Sequence, residues 1–160
     1  MTKYQSTIQS KLGDLVAVGD DEALYCLAFH DYEGLERLLA PFPQVKTGTC
    51  RSIEMAEQEL HAYFKGRLTS FSVPLSFSGT PFQVLTWKAL QKIPYGTTCS
   101  YKELAASIGR SKAVRAAGSA NGMNPFVIIV PCHRDIAHDG SLGGYSSGLS
   151  RKKQLLALEN

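Results

Sequence analysis

The run NPFVIIVPCHRD, Asn124 to Asp135, drives five consecutive apolar residues, Phe126 to Val130, into a proline and then sets a thiol, an imidazole and a guanidinium side by side. An apolar run of that length bounded by Pro131 predicts a buried strand that ends in a turn, because proline cannot donate to a ladder. That reading accounts for the segment up to Pro131. It does not require three chemically active side chains in succession, so the elements on either side must bring this segment its partners.

Downstream, SRKKQLLALEN, Ser150 to Asn160, predicts a short basic amphipathic helix with Glu159 in its last turn. A helix dipole disfavours an anion there. A cation such as His133 would offset that cost; otherwise Glu159 is an exposed carboxylate at a frayed end. Upstream, TPFQVLTWKALQKIP places Thr80 as N-cap, Pro81 at the first helical position and Gln83 three residues past the cap, with Pro94 closing the segment. SYKELAASIG repeats this grammar, with Ser100 and Glu103 as a capping box and Gly109 as the stop. RSKAVRAAGSANG then resumes a helix with Ser111 as cap and Ala113, Val114, Ala117 and Ala120 inward. Two short helices about a tight turn form a helix-turn-helix. Its outer face would carry Lys112, Arg115, Gly118 and Ser119, two long cations with almost no other bulk, which suits either close helix packing or docking onto DNA.

The first half differs in pattern. TIQSKLGDLVAVGDDEALYCLAFHD shows short apolar stretches broken by Gly13 and by GDDE, the mark of a strand meander. SIEMAEQELHAYFKGRL places Ile53, Met55, Ala56, Leu60 and Phe64 at helical spacing, with Gly66 as the stop. TSFSVPLSFSG carries Pro74, so it is an edge strand or a connector. The expectation is an α/β chain: a small N-terminal α/β domain of strands and a helix over residues 1–79, and a mainly helical C-terminal domain over residues 80–160 holding the helix-turn-helix and the reactive cysteine.

Composition sets bounds on function. The chain has 160 residues, 44% hydrophobic and 19% charged, which fits a globular protein rather than a disordered one. No apolar run approaches the roughly 18 residues of a membrane span, and the N-terminus has no apolar leader core, so a cytoplasmic protein without membrane association is expected. The net charge of +3 is unevenly spread. Met1 to Gly79 carries seven Lys and Arg against ten Asp and Glu, a balance of −3; Thr80 to Asn160 carries ten against four, a balance of +6. A polyanionic partner fits the second half. Cys26, Cys50, Cys99 and Cys132 lie far apart, which predicts reduced thiols and no disulfide framework. Cys26 and His30 have spacing for two metal ligands, but ALYCLAFHDY reads more simply as a strand with Cys26 inside, so no metal is expected.

A thiol with a pKa of about 8.5 must lose its proton to become a nucleophile. His133 is the adjacent base, yet consecutive strand side chains point to opposite faces, so contact needs a turn or a bridging water. Cys132, His133 and Glu159 could then form a chain in which the acid orients the imidazole.

These residues, with PCHR at Pro131 to Arg134, NP at Asn124 and Pro125, SY at Ser100 and Tyr101, VRAAG from Val114, GGYSSG from Gly143 and Glu159 at the matching distance, closely resemble the DNA repair alkyltransferases acting on O6-alkylguanine. The resemblance covers nearly all of the second half; the first half matches in length and general pattern, including ELHAYFKG. It implies a suicide transfer of the alkyl group from O6-methylguanine, with O4-methylthymine as a lesser substrate, to Cys132, with no cofactor. His133 would act as base through a water, Glu159 would orient it, and Asn124 would brace the surrounding turns. Tyr101 would press on the DNA backbone and donate toward the guanine ring, while Arg115 fills the vacated stack. Ser100, Lys112 and Ser119 would also meet the DNA, and Tyr145, Ser146, Asn121 and Asp135 would border the base pocket, with the Ser146 N–H near O6. A monomer would bind duplex DNA through the minor groove and flip the base.

One departure stands out. Asp135 replaces the aliphatic residue that usually follows PCHR, and an anion there would slow transfer by raising the thiol pKa or weakening DNA approach. Ser111 replaces a proline that often begins the recognition helix. Rival readings are a cysteine hydrolase, a non-catalytic binder of alkylated DNA and a transcription factor. The helix-turn-helix with Arg115 weighs against the first, Cys132 itself against the second, and the PCHR segment against the third.

Overall fold

A computed structural model describes residues 1–160, which fall into two compact units, Met1–Phe77 and Ser78–Asn160. The first holds a four-stranded sheet in the order β3-β2-β1-β4. Strands β1 (Tyr4–Ile8), β2 (Leu15–Gly19) and β3 (Leu24–Phe29) form the expected antiparallel meander, and the two-residue β4 (Lys46–Thr47) pairs parallel to β1 after the short helix α1 (Leu35–Leu39). The GDDE break is a turn in which Asp20 Oδ1 accepts the N–H groups of Glu22 and Ala23 at 2.9 and 3.0 Å. Helix α2 (Arg51–Phe64) covers β2 and β3 with Ile53, Ala56, Leu60 and Tyr63. Met55 and Phe64, expected inside, are half-buried, and Tyr63 takes the core position instead. Gly66 ends the helix at φ +72°, a conformation that glycine adopts without steric cost. The Pro74 segment is a connector, joined to the sheet edge by Leu24 N–H donating to Pro74 O and Ser76 N–H donating to Leu24 O. Cys26 is buried in β3, where desolvation pushes its thiol up to about 12.

In the second unit the capping boxes form as the sequence specifies. Thr80 and Gln83 cap α3 (Pro81–Leu90), and Ser100 and Glu103 cap α4 (Tyr101–Ser107). Helix α5 (Val114–Gly122) packs on both α3 and α4, and Trp87 Nε1 of α3 donates to Ala120 O at 2.8 Å. Two expectations fail here. Ser111 lies in the turn before α5, whose N-cap is Ala113 without a side-chain cap, and Lys112 precedes the helix rather than riding on it. Ala117 and Ala120 are buried, while Ala113 and Val114 are only half so. A short parallel pair, β5 (Cys99–Ser100) with β6 (Asp135–Ile136), and helix α6 (Leu149–Leu158) complete the unit.

The strand expected over Phe126–Val130 is absent. The run is buried, as its composition demands, but it folds as consecutive tight turns. Ile129 N–H donates to Val127 O at 2.8 Å around Ile128, whose φ is +71°, and Cys132 N–H donates to Val130 O at 2.8 Å around Pro131 at φ −80°, ψ 65°. These are a γ-turn and an inverse γ-turn, the first of the strained kind and unusual for a β-branched residue. Asn124 holds them: its Nδ2 donates to Val130 O at 2.7 Å, and its Oδ1 accepts the Phe126 N–H at 2.9 Å.

Candidate active site

The turns deliver Cys132 to the first position of a 3-10 turn, Cys132–Arg134, so sulfur and imidazole leave the backbone in different directions. Cys132 lines a cavity of about 420 Å³, shared with Tyr101 of α4, Val114, Arg115, Gly118, Asn121 and Gly122 of α5, and Gly144, Tyr145 and Ser146 of the loop before α6. Burial pushes the thiol pKa up; Asn124 and Tyr145, both in hydrogen-bonding reach, and the ammonium of Lys152 pull it back down.

Behind the thiol, His133 is fully buried, and its Nε2–H donates to Glu159 Oε2 at 2.7 Å. That bond assigns the proton of a neutral ring to Nε2 and leaves Nδ1, which has no hydrogen-bond partner in the protein, as its basic nitrogen. Burial lowers the His133 pKa against the pull of Glu159, so the ring is neutral at pH 7 and able to accept a proton. Glu159 is buried, not frayed: Arg134 donates to it through Nε at 2.8 Å and Nη2 at 3.1 Å. The third Arg134 bond, Nη1 to Ile93 O at 2.7 Å, ties the group to the turn that follows α3. The cation that offsets the helix-end penalty is therefore Arg134, with His133 as the second donor.

Of the residues singled out in the sequence, Tyr101, Arg115, Asn121, Cys132, Tyr145 and Ser146 come together around one cavity. The Tyr101 hydroxyl donates to Gly144 O at 3.3 Å, and the Ser146 hydroxyl to Gly122 O at 2.8 Å. Asn121 Oδ1 is buried without a partner. Arg115, Lys112 and Ser119 are exposed. Ser100 is buried, and its hydroxyl accepts the Glu103 N–H, so its visible work is capping. Asp135 is not among the residues lining the cavity: β6 pairing with β5 directs it into the interior, where it is fully enclosed.

Sequence reasoning missed Lys152. It lies on the basic face of α6 yet is fully buried, donating to Asp135 O at 2.6 Å and Gly144 O at 3.0 Å. Only its one-turn offset from the apolar Leu155 and Leu156 hinted at this. Gly143, which opens the GGYSSG motif, has φ +70°, and a Cβ there would come within 2.9 Å of the Tyr101 ring, a contact the motif alone does not reveal. No grouping of three or more His, Cys, Asp or Glu side chains is arranged to hold a metal ion, and no helix is long and apolar enough to cross a membrane.

Comparison with known proteins gives a consistent picture. Residues 81–160 match the family model for the 6-O-methylguanine DNA methyltransferase DNA binding domain, and residues 3–77 that for the ribonuclease-like domain of the same proteins. The chain is 44% identical over 156 residues to a methylated-DNA–protein-cysteine methyltransferase of Methanosarcina barkeri, covering 98% of this chain and 96% of that protein. It is 46% identical over 158 residues to the protein of that name from Mycobacterium tuberculosis, covering 98% and 92%. The crystal structure of Mycobacterium tuberculosis OGT in complex with DNA superposes with a TM-score of 0.88 at 42% identity, covering 98% of this chain and 92% of that one.

Proposed function

Because the chain belongs to the 6-O-methylguanine DNA methyltransferase family, we propose that it repairs duplex DNA by moving an alkyl group from O6 of guanine onto its own Cys132. The observation that carries this reading is the shared cavity, in which a buried thiol with a base behind it and a helix bearing the exposed Arg115 form one wall. A base can reach that sulfur only by leaving the duplex. The cavity is of a size for one base with a small substituent, since ligand pockets begin at about 300 Å³.

The steps follow from the groups present. His133 Nδ1 takes the thiol proton through a bridging water, and Glu159 and Arg134 hold the imidazole in the tautomer that makes this possible. The thiolate displaces guanine at the alkyl carbon: the S–C bond forms, the C–O6 bond breaks, and its electron pair goes to the purine. The purine gains a proton as the Tyr101 hydroxyl donates toward the ring, the proton passing on from the protonated His133 side, so the product is unmodified guanine. The Ser146 N–H supports the developing charge at O6. The resulting thioether has no carbonyl for water to attack, so each molecule reacts once. Arg115 fills the vacated stack, with Lys112 and Ser119 against the backbone and Ser100 positioning Tyr101; Asn121 and Tyr145 enclose the base. In this reading residues 80–160 form the alkyl-transfer domain and residues 1–79 a separate one, and the chain acts in the cytoplasm as a monomer at the minor groove, on O6-methylguanine above all and O4-methylthymine second.

The test is to incubate the protein with a duplex containing O6-methylguanine, weigh the intact protein and map its peptides. One methyl on the peptide holding Cys132, and none after Cys132→Ala, is expected. Repeated turnover, or clearance of the lesion by the alanine variant, would overturn the proposal.

A further inference from the structure

Asp135 has no part in the chemistry above, yet it is fully enclosed, and neither carboxylate oxygen has a hydrogen-bond partner. Five titratable groups from four elements act on it or feel it: Lys152 of α6, Glu103 and Tyr101 of α4, Cys99 of β5 and Cys132 of the 3-10 turn. Lys152 is the cation among them. Its ammonium is fixed by two backbone carbonyls, one of them that of Asp135 itself, and lies 5.8 Å from the centroid of the Tyr101 ring. It is thus seated on the Asp135 backbone and beside Gly144 and Tyr101, which line the same cavity as Cys132. One buried cation therefore faces two acids.

We propose that Asp135 is a positioning residue that sets the reactivity of Cys132 by sharing the Lys152 ammonium with it: the ionised carboxylate holds the thiol protonated, and the neutral carboxyl leaves the cation to the thiolate. DNA approach is not involved, because the side chain is enclosed. Burial pushes the Asp135 carboxyl up to about 7, with Lys152 opposing and Glu103 adding to the rise, so the exchange falls near neutrality. As pH rises through that range an anion appears beside Cys132, and the thiolate population grows less steeply than that of an isolated thiol. The anion supplies a brake where an aliphatic side chain would supply none.

The inference rests on the alkyl-transfer reading for its DNA readout only. Single-turnover methyl transfer and, without DNA, iodoacetamide labelling of Cys132 followed by peptide mapping are measured for wild type and Asp135→Asn between about pH 6 and about pH 8.5. The variant-to-wild-type ratio should be close to one at the acid end and climb to about threefold or more at the alkaline end in both assays, with duplex affinity unchanged. A ratio that is flat with pH would mean that Asp135 matters only for packing, and would overturn the proposal. Asp135→Val should give the same climb, and serves as the comparison if the asparagine variant loses its native near-ultraviolet spectrum. A climb in labelling with no transfer from DNA would sink the alkyl-transfer reading and leave this inference standing; transfer with a flat ratio would do the reverse.

Discussion

Glu159 holds two donors with one carboxylate, the cationic Arg134 and the neutral imidazole of His133, and both are enclosed with it. Removing a charge from such a group leaves the others without compensation, which costs more than the pair contributes net. Glu159→Gln should therefore lower unfolding free energy by about 3–5 kcal/mol, read from urea midpoints, and slow single-turnover transfer by about tenfold or more as His133 loses its fixed tautomer. Asp135 gives a second prediction at this scale, from its carboxyl being pushed up to about 7 from an ordinary value of 3.8. A group whose folded pKa is raised binds more protons in the native state, so its contribution is fully present below the unfolded value and is lost as pH rises through the folded one. Wild type should lose stability across that window with a slope of up to about 1.4 kcal/mol per pH unit that Asp135→Asn lacks; equal slopes in urea titrations would contradict this.

Among the elements, the turn segment Asn124–Cys132 depends most on a single side chain. Asn124→Ala would take the buried amide acceptor from the Phe126 N–H and leave the Val130 carbonyl to the Cys132 N–H of the inverse γ-turn. The expected loss is about 2–4 kcal/mol by urea denaturation, with slower transfer as Cys132 loses its seat. This segment also marks the boundary of what the sequence reveals. Helices α3 and α4 are legible because a capping box is local chemistry, closed within four residues. The Phe126–Val130 run has no period to read, and what bends it is a bond from Asn124 and a positive φ at Ile128, neither encoded in apolarity. The start of α5 was misread for the opposite reason: Ser111 looks like a cap, but the chain turns once more before Ala113. At the site, Cys132, His133 and Glu159 are legible as chemistry and motif. Lys152 is not, because a lysine in a basic helix looks like surface until the neighbouring carbonyls are placed. Asp135 was legible as an anomaly but not in its position, since its direction is set by the β5–β6 pairing.

For the molecule as a whole, the uneven charge makes a prediction about binding. The unit Ser78–Asn160 carries the +6 balance, with Ser78 and Gly79 themselves uncharged, and the unit before it carries −3. Binding to duplex DNA should weaken linearly in log–log form with salt, and Lys112→Ala should reduce that slope by about one while lowering affinity for lesion-bearing and plain duplexes alike. Arg115→Ala should instead cost the lesion duplex more than the plain one, because its task is to hold the flipped state. Both are measurable by fluorescence anisotropy over a salt series.

Every group found in contact with Cys132, together with the imidazole and carboxylate behind it, comes from the second unit. Mutational drift should therefore be filtered differently along the gene. Replacements before residue 78 are screened by whether their own sheet and helix still fold, whereas those after it must also leave a reactive sulfur intact, so a saturation library selected for survival under alkylating stress should come back far more diverse in its first half.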